Sequence, residues 1–276
     1  MTEQEIVLND GHTMPRLGYG LWQIGNDQAE TLVSAAIAAG FRHFDTAQAY
    51  CNEAGVGRGL RDSGIPRDQL FVTSKLRGRD MGYASALRSF DENLQRLGLD
   101  YLDLFLIHWP MPAHGRYVET WKALIELRAS RRVRSIGVSN FTSAHVDRLI
   151  QATDIVPAVN QLEVHPYFQQ HDIRAQHGIV IQSYSPFGSS GAAVLRNEGV
   201  RAIAAKHART PAQVVLRWHL QQAIVPLPRT SKVSRFAENL AVWNFELDET
   251  DMAQIRGLDE PDGNTQPLPD QMNYSF

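Results

Sequence analysis

The sequence predicts an α/β protein, a closed (β/α)8 TIM barrel, on three observations. Eight short apolar segments alternate with segments whose apolar residues recur at helical spacing. Several of the strand segments are continuous apolar runs, which is typical of parallel strands buried on both faces. The length of 276 residues fits one barrel of roughly 250 residues. Alternating strands and helices favour parallel pairing, and eight such units can close into a barrel.

The first predicted element is an N-terminal β-hairpin, since an Asp-Gly turn at Asp10-Gly11 separates Ile6–Leu8 from Met14-Pro15. The barrel strands are then predicted at Arg16–Leu21, Phe41–Asp45, Leu70–Lys75, Tyr101–His108, Val133–Ser139, Val159–Glu163, Ile179–Tyr184 and Ala223–Leu227. Helices are predicted at Gln28–Ala39, Glu53–Ser63, Tyr83–Leu97, Tyr117–Ser130, Ser143–Gln151, Val200–Ala208 and Pro211–Gln222. The tail from Gly257 is rich in proline and predicted irregular; it either frays or, as we expect, forms a loop over the barrel mouth.

The alternative fold is an open doubly wound sheet, which usually carries a glycine fingerprint after its first strand. Gly55-Val56-Gly57-Arg58-Gly59 resembles that fingerprint, but its spacing is wrong and it falls inside a helical pattern. Proline at position 226 removes a backbone donor from the eighth strand, so we expect that strand to be irregular. We expect residues 1–276 to form a single domain.

Composition and charge narrow the function. The net charge of −3 gives no basic surface for nucleic acid or an anionic membrane. The polar N-terminus, residues 1–5, predicts no signal peptide and a cytoplasmic location. No apolar run approaches the ~18 residues of a membrane span. Cys51 is the only cysteine, so neither an internal disulfide nor a thiolate metal cluster is expected.

Four polar side chains stand at or just beyond the ends of three consecutive strands. Asp45 ends the second barrel strand and Tyr50 follows five residues later, while Lys75 and His108 end the third and fourth strands. In such a barrel the loops after the strands carry the chemistry. We therefore expect these four side chains to form one catalytic site.

Tyrosine can act as a proton donor in such a site when its surroundings tune it. A free phenol has a pKa of about 10, and a nearby ammonium group lowers that pKa and eases proton transfer. Asp45 is the natural counter-ion of Lys75, and His108 could orient a carbonyl oxygen. Structural roles remain open: the Lys75 stem could reach the rim, Tyr50 could be an ordinary half-buried tyrosine, and His108 could be a satisfied core histidine.

Two other chemistries lack their motifs. Zinc could bind an aspartate with histidines, yet these strand ends carry no His-x-Glu, no His-x-x-x-His and no cysteine pair, so no metal is expected. A serine nucleophile would need a Gly-x-Ser-x-Gly elbow, which does not occur.

Three segments resemble the signatures of the aldo-keto reductase family. They are Gly40…Phe44-Asp45-Thr46-Ala47…Tyr50 with Asn52-Glu53, Ile136-Gly137-Val138-Ser139-Asn140-Phe141, and Pro228-Arg229-Thr230-Ser231…Arg235…Glu238-Asn239. The resemblance covers nearly the whole chain in motif order. The short connection from His108 to Trp121 is similar to that of bacterial 2,5-diketo-D-gluconate reductase-like enzymes. The resemblance implies a catalytic tetrad of the four residues above, with NADPH as hydride donor.

Phosphate-binding chemistry follows the last two strands, where barrels commonly bind phosphate. Phe187-Gly188-Ser189-Ser190-Gly191 offers backbone N–H groups and hydroxyls to a pyrophosphate. Two guanidinium groups and two hydroxyls suit a 2′-phosphate and favour NADP over NAD; these belong to Arg229, Thr230, Ser231 and Arg235. The alternatives are a plain flexible loop and a solvated basic face.

The resemblance implies further contacts with the cofactor. The nicotinamide would stack on Tyr184, beside Ser185, with its carboxamide held by Ser139, Asn140 and Gln161. Glu238 and Asn239 would contact adenine.

The substrate pocket is expected between Tyr50, His108 and two tryptophans, Trp22 and Trp109, although Trp22 could equally pack on the barrel rim. The sequence thus predicts a monomeric enzyme that reduces a small carbonyl substrate with NADPH. Small aldehydes, diketones and keto-sugar acids stay open as substrates. The alternatives are an NADPH-binding or sensing barrel with little turnover, and a barrel isomerase or metal-dependent hydrolase.

Overall fold

The computed structural model describes residues 3–174, 177–189 and 192–273. Two short strands, β1 (Glu5–Val7) and β2 (Thr13–Pro15), form the antiparallel hairpin that the Asp-Gly turn predicts. Eight parallel strands follow in chain order. They are β3 (Tyr19–Gly20), β4 (His43–Asp45), β5 (Phe71–Leu76), β6 (Leu102–Ile107), β7 (Val133–Ser139), β8 (Val159–Glu163), β9 (Val180–Tyr184) and β10 (Val225–Pro226).

Each strand pairs with the next one along the chain, so the sheet order is the chain order. The two outer strands meet through backbone hydrogen bonds, because the N–H of Gly18 donates to Pro226 O at 3.1 Å and that of Gly20 to Pro228 O at 3.1 Å. These bonds close the sheet into the predicted barrel. Consequently the carboxyl ends of all eight strands surround one mouth.

Helices pack around the strands. They are α1 (Asn26–Ala39), α2 (Glu53–Arg61), α3 (Tyr83–Leu97), α4 (Tyr117–Ala129), α5 (Ser143–Thr153), α6 (His171–Arg174), α7 (Ala192–Arg196), α8 (Glu198–Lys206), α9 (Pro211–Gln221), α10 (Ser234–Leu240) and α11 (Glu249–Arg256). Leu127 and Phe90 illustrate the arrangement, since their buried side chains face the apolar strands from α4 and α3. Glycine at position 57 allows α2 to approach α3, because a Cβ there would lie 1.9 Å from Leu97 O.

The hairpin closes the other end of the barrel. Leu8 and Met14 are buried in one apolar cluster with strand residues such as Leu104, Val159 and Val225. Burial of this cluster shields the barrel floor from water and fixes the hairpin against the strands. The mouth is therefore the open end, and the floor is plugged.

Several predictions about the elements need correction. The first barrel strand is shorter than Arg16–Leu21. The sixth barrel strand is not followed by a full helix, since the described part of its connection contains only the four-residue α6. Neither α10 nor α11 was expected, although Asp248 and Asp251 form a capping box at the start of α11. The eighth strand is shorter than Ala223–Leu227, as the proline at its centre suggests.

Candidate active site

An ion pair lies at the centre of the barrel mouth. Lys75 on β5 and Asp45 at the end of the neighbouring β4 place Nζ and Oδ1 2.5 Å apart. The Lys75 side chain is fully buried and that of Asp45 is 5% exposed. Nζ also donates to Thr46 O at 3.1 Å and to the Tyr50 hydroxyl at 3.2 Å. The ammonium group is therefore fully engaged, as burial of a charge requires.

A short 3-10 turn (Gln48–Tyr50) carries Tyr50 back over this pair. Cys51 ends the turn with a φ of 55°, in the left-handed region, so the chain reverses directly after the phenol. The His108 ring, beyond the end of β6, lies edge-on to the Tyr50 ring with centroids 5.8 Å apart. The structure thus brings together the four side chains that the sequence predicts as a tetrad.

Burial sets the protonation states of this group. Burial lowers the pKa of Lys75, but the Asp45 carboxylate and the Tyr50 hydroxyl outweigh it, and the net pKa is raised. Burial and the Lys75 charge both lower the pKa of His108 well below its ordinary value, so His108 is neutral at physiological pH. Its imidazole can then donate one hydrogen bond without carrying charge.

The effect on Tyr50 corrects part of the sequence-based expectation. Burial raises the pKa of Tyr50, the Lys75 ammonium lowers it, and Asp45 raises it again; the net direction is upward. The ammonium therefore acts in the expected sense, yet burial exceeds its effect. Tyr50 keeps its proton at neutral pH, as a proton donor must.

A second set of polar side chains connects the ends of β7, β8 and β9. Asn140 donates to His108 O at 3.1 Å and to Ser139 Oγ at 3.1 Å. The Tyr184 hydroxyl donates to Asn140 Oδ1 at 2.8 Å, and Ser139 Oγ to Gln161 O at 2.9 Å. These contacts hold the expected nicotinamide-binding residues in one layer beside His108.

One cavity of about 780 Å³ joins the tetrad to the loops after β9 and β10. Its walls include every predicted cofactor and pocket residue except Ser231: Trp22, Tyr50, His108, Trp109, Ser139, Asn140, Gln161, Tyr184, Ser185, Phe187, Gly188, Ser189, Arg229, Thr230, Arg235, Glu238 and Asn239. Ser231 is exposed and lies outside this wall. Ser190 and Gly191, also expected to bind phosphate, lie outside the described residues.

Twelve more residues line the cavity and were not predicted individually. Leu195, Arg196, Thr210, Pro211 and Ala212 belong to α7 and the start of α9, Gln266, Pro267 and Met272 belong to the tail, and Gly20, Ala49, Pro186 and Leu227 lie at or beyond the ends of barrel strands. The sequence gives no motif that marks the residues of α7, of α9 or of the tail as cavity residues. Thr210 Oγ1 donates to Glu238 Oε1 at 2.7 Å and so orients a predicted adenine contact.

The tail forms a loop over the mouth, as expected, and its residues 274–276 lie outside the described part. The carboxylate of Glu163, at the end of β8, accepts the N–H of Thr265 at 3.0 Å and that of Gln266 at 3.1 Å. Asp270 pairs with His145 at 3.2 Å, and the buried Met272 lines the cavity. The tail therefore supplies one wall of the pocket.

Residues 16–260 match the Aldo/keto reductase family. The chain belongs to this family of oxidoreductases, so the predicted family and barrel fold are confirmed. No group of three or more His, Cys, Asp or Glu in the described ranges could hold a metal. Helices long and apolar enough to cross a membrane are likewise absent from residues 3–174, 177–189 and 192–273.

Relatives share most of their length with this chain. The Methylglyoxal reductase DkgA of Escherichia coli K12 is 43% identical over 258 residues, which are 92% of this chain and 93% of DkgA. An aldo-keto reductase of Mycolicibacterium smegmatis is 45% identical over 92% of this chain and 93% of its own. A mutant of Gox0644, solved in complex with NADPH, is 45% identical, with a TM-score of 0.94 over 99% of this chain and 100% of that chain.

Proposed function

We propose that this protein is an NADPH-dependent carbonyl reductase in which Tyr50 protonates the carbonyl oxygen. The observation that carries the proposal is the contact between Tyr50 and the buried Lys75–Asp45 pair, at the wall of a cavity large enough for a cofactor and a small substrate. NADPH supplies the hydride, and the protein supplies the proton and the electrostatic surroundings.

The residues present fit NADPH. Arg229 and Arg235 are exposed and line the cavity from the loop and helix after β10, and two guanidinium groups suit a 2′-phosphate. Tyr184 offers an aromatic face and Asn140 an amide beside His108. These groups bind and orient the cofactor so that its nicotinamide faces the tetrad.

The mechanism then divides between three side chains. Neutral His108 donates a hydrogen bond to the carbonyl oxygen and orients it. Tyr50 gives its proton to that oxygen as charge develops, and the Lys75 ammonium at 3.2 Å stabilises the phenolate left behind. Asp45 holds Lys75 protonated throughout.

The substrates that the pocket favours are small neutral aldehydes and diketones. Trp22, Trp109 and Met272 give the cavity aromatic and apolar walls near Tyr50. The cationic lining residues among those described, such as Arg229, come from the loops and helices after β9 and β10, on the cofactor side. Beside the tetrad, the described cavity residues offer no cationic side chain to the carboxylate of a keto-sugar acid. The DkgA relative is named for reducing methylglyoxal, a neutral dicarbonyl.

The test is Tyr50→Phe, which removes the hydroxyl and keeps the ring. We expect turnover of methylglyoxal to fall by at least about 10²-fold, while the Kd for NADPH, measured by quenching of tryptophan fluorescence, stays within about twofold. Undiminished turnover would exclude Tyr50 as donor. Tight NADPH binding by the wild type without turnover of any aldehyde or diketone would instead favour a sensing protein.

A single domain, a monomer and a cytoplasmic location remain predictions.

A further inference from the structure

A chain of buried polar side chains runs from the catalytic aspartate to the barrel floor. Gln161 Nε2 donates to Asp45 Oδ2 at 2.8 Å and to Gln182 Oε1 at 2.9 Å. Gln182 Nε2 in turn lies 3.2 Å from Met14 Sδ and 3.4 Å from His43 Nε2. All of these side chains are buried. The reaction described above uses neither His43 nor Gln182.

The two glutamine amides in this network both donate toward the barrel floor, and the contacts at the floor explain this orientation. His43 Nδ1 lies 3.1 Å from Pro15 O, which can only accept, so Nδ1 carries the proton and Nε2 is an acceptor. Burial lowers the pKa of His43 to about 4, which keeps the ring neutral. His43 Nε2 also lies 3.4 Å from Thr73 Oγ1, whose hydroxyl can donate to it. A thioether sulfur only accepts, so Met14 is the contact that requires the Gln182 nitrogen to face the floor, and the acceptor on His43 matches that orientation.

The orientation of the Gln182 amide at the floor in turn fixes the orientation of the Gln161 amide at the active site. With its nitrogen toward the floor, Gln182 must present Oε1 to Gln161, and it accepts one Gln161 N–H there. Asp45 Oδ2 accepts the other. Both amide hydrogens of Gln161 are thus directed into the protein, and two anchors define the plane of the amide. The carbonyl oxygen is the group that Gln161 can turn toward the cavity it lines.

We propose that Gln182, fixed by His43 and Met14 of the floor, is a positioning residue that sets the plane of the Gln161 amide so that the cofactor meets a carbonyl oxygen. An oxygen at this position accepts a hydrogen bond from an amide NH₂ and repels a carboxylate. The protein then distinguishes a nicotinamide from a nicotinic acid dinucleotide. This inference rests on the proposed function, because it assumes that Gln161 faces the nicotinamide end of the cofactor.

Loss of Gln182 removes one of the two acceptors that hold the Gln161 amide, namely Gln182 Oε1 and Asp45 Oδ2. Without its Oε1, the second N–H of Gln161 has no acceptor in the floor, and the amide can pivot about its remaining bond to Asp45. A pivoting amide can offer either group to the cavity. Discrimination against the carboxylate falls, although Gln182 itself touches no ligand.

The binding test compares NADP⁺ with its nicotinic acid analogue by fluorescence titration. We expect the wild type to bind NADP⁺ at least about tenfold more tightly, and Gln182→Leu to reduce that ratio below about threefold. Gln169→Leu is the matched control, because Gln169 is a fully buried amide that donates to Pro166 O and Ile255 O away from the cavity. It should keep the wild-type ratio. An unchanged ratio in Gln182→Leu, or no discrimination in the wild type, would overturn the proposal.

A measurement on the ligand-free wild type keeps the test independent of variant folding and of turnover. In ¹⁵N-histidine NMR spectra we expect His43 as the Nδ1-protonated neutral tautomer at pH 7. A proton on Nε2 would reverse the chain and refute the proposal. If the tautomer is as expected but neither dinucleotide binds, the proposed function and the role of Gln161 toward a cofactor are both wrong. The order of hydrogen bonds from Gln161 to the floor would still be correct.

Discussion

The buried ion pair at the mouth makes a quantitative prediction about stability. Lys75 is fully buried and Asp45 nearly so, and their charged atoms lie 2.5 Å apart. Breaking a buried pair by removing one partner leaves an uncompensated charge and costs about 3–5 kcal/mol. We therefore expect Lys75→Met and Asp45→Asn each to lower the free energy of unfolding by that amount.

The double variant measures the interaction between Lys75 and Asp45 apart from the contribution of each side chain to the free energy of unfolding. If the two effects were independent they would sum to about 6–10 kcal/mol, which is as large as the stability of many domains. Together, however, the substitutions leave no charge behind, and Lys75→Met with Asp45→Asn should be more stable than the sum of the single effects predicts by about 3 kcal/mol. Tyr50→Phe loses only a 3.2 Å contact and should cost about 1 kcal/mol.

The assay is urea unfolding followed by circular dichroism at about pH 8. The raised pKa of Lys75 places its titration above pH 10.5, and a raised pKa gives stability that is present at lower pH and lost only as pH rises through it. The full effect of the pair is therefore measured at about pH 8. Strictly additive losses, or a loss below about 1 kcal/mol for Lys75→Met, would show that the pair is solvated and refute this account of the site.

Three further predictions concern pH, the cofactor and the tail. His43 has its pKa lowered by burial to about 4, so stability falls as pH drops below about 6.5, by up to 1.4 kcal/mol per unit; His43→Gln should lose that part of the slope in unfolding curves at pH 5 and 6.5. Arg235→Met should raise the Kd for NADPH about 10- to 100-fold by removing a charge-assisted bond to phosphate, and an equal change for NADH would contradict a 2′-phosphate contact. Glu163→Ala leaves the N–H groups of Thr265 and Gln266 without their acceptor. The KM for the carbonyl substrate should therefore rise severalfold, and the tail should become the first site of limited proteolysis. An unchanged KM would show that the tail does not contribute to substrate binding.

The tetrad was predictable from the sequence because parallel strands deliver their ends to one edge. Asp45, Lys75 and His108 each end an apolar strand, so the topology alone requires them to meet. The sign of the net shift in the Tyr50 pKa was not predictable, since the balance between burial and the Lys75 charge depends on how deeply the phenol sits.

Contacts between distant segments were hidden for a different reason. Glu163 and Thr265 are 102 residues apart, and nothing local to either one indicates the other. In the sequence, Gln182 is simply a polar residue within an apolar strand. Its place in the barrel interior follows only from the strand register, which sets it opposite Gln161. Register is a property of the assembled sheet, so residues of this kind appear only in the structure.

The seam that closes the barrel explains how a proline fits in the eighth strand. Pro226 and Pro228 turn their carbonyls toward the first barrel strand, where the N–H groups of Gly18 and Gly20 donate to them. Proline has no N–H to return, so bonds across this seam run in one direction only. Glycine at position 20 is needed because a Cβ would lie 2.8 Å from Leu227 O. The seam is thus tight but sparsely bonded, and the loops that follow its strands carry the walls of the cavity that we propose for the substrate and the 2′-phosphate. Closure of the barrel and assembly of the proposed binding site therefore depend on the same few backbone contacts.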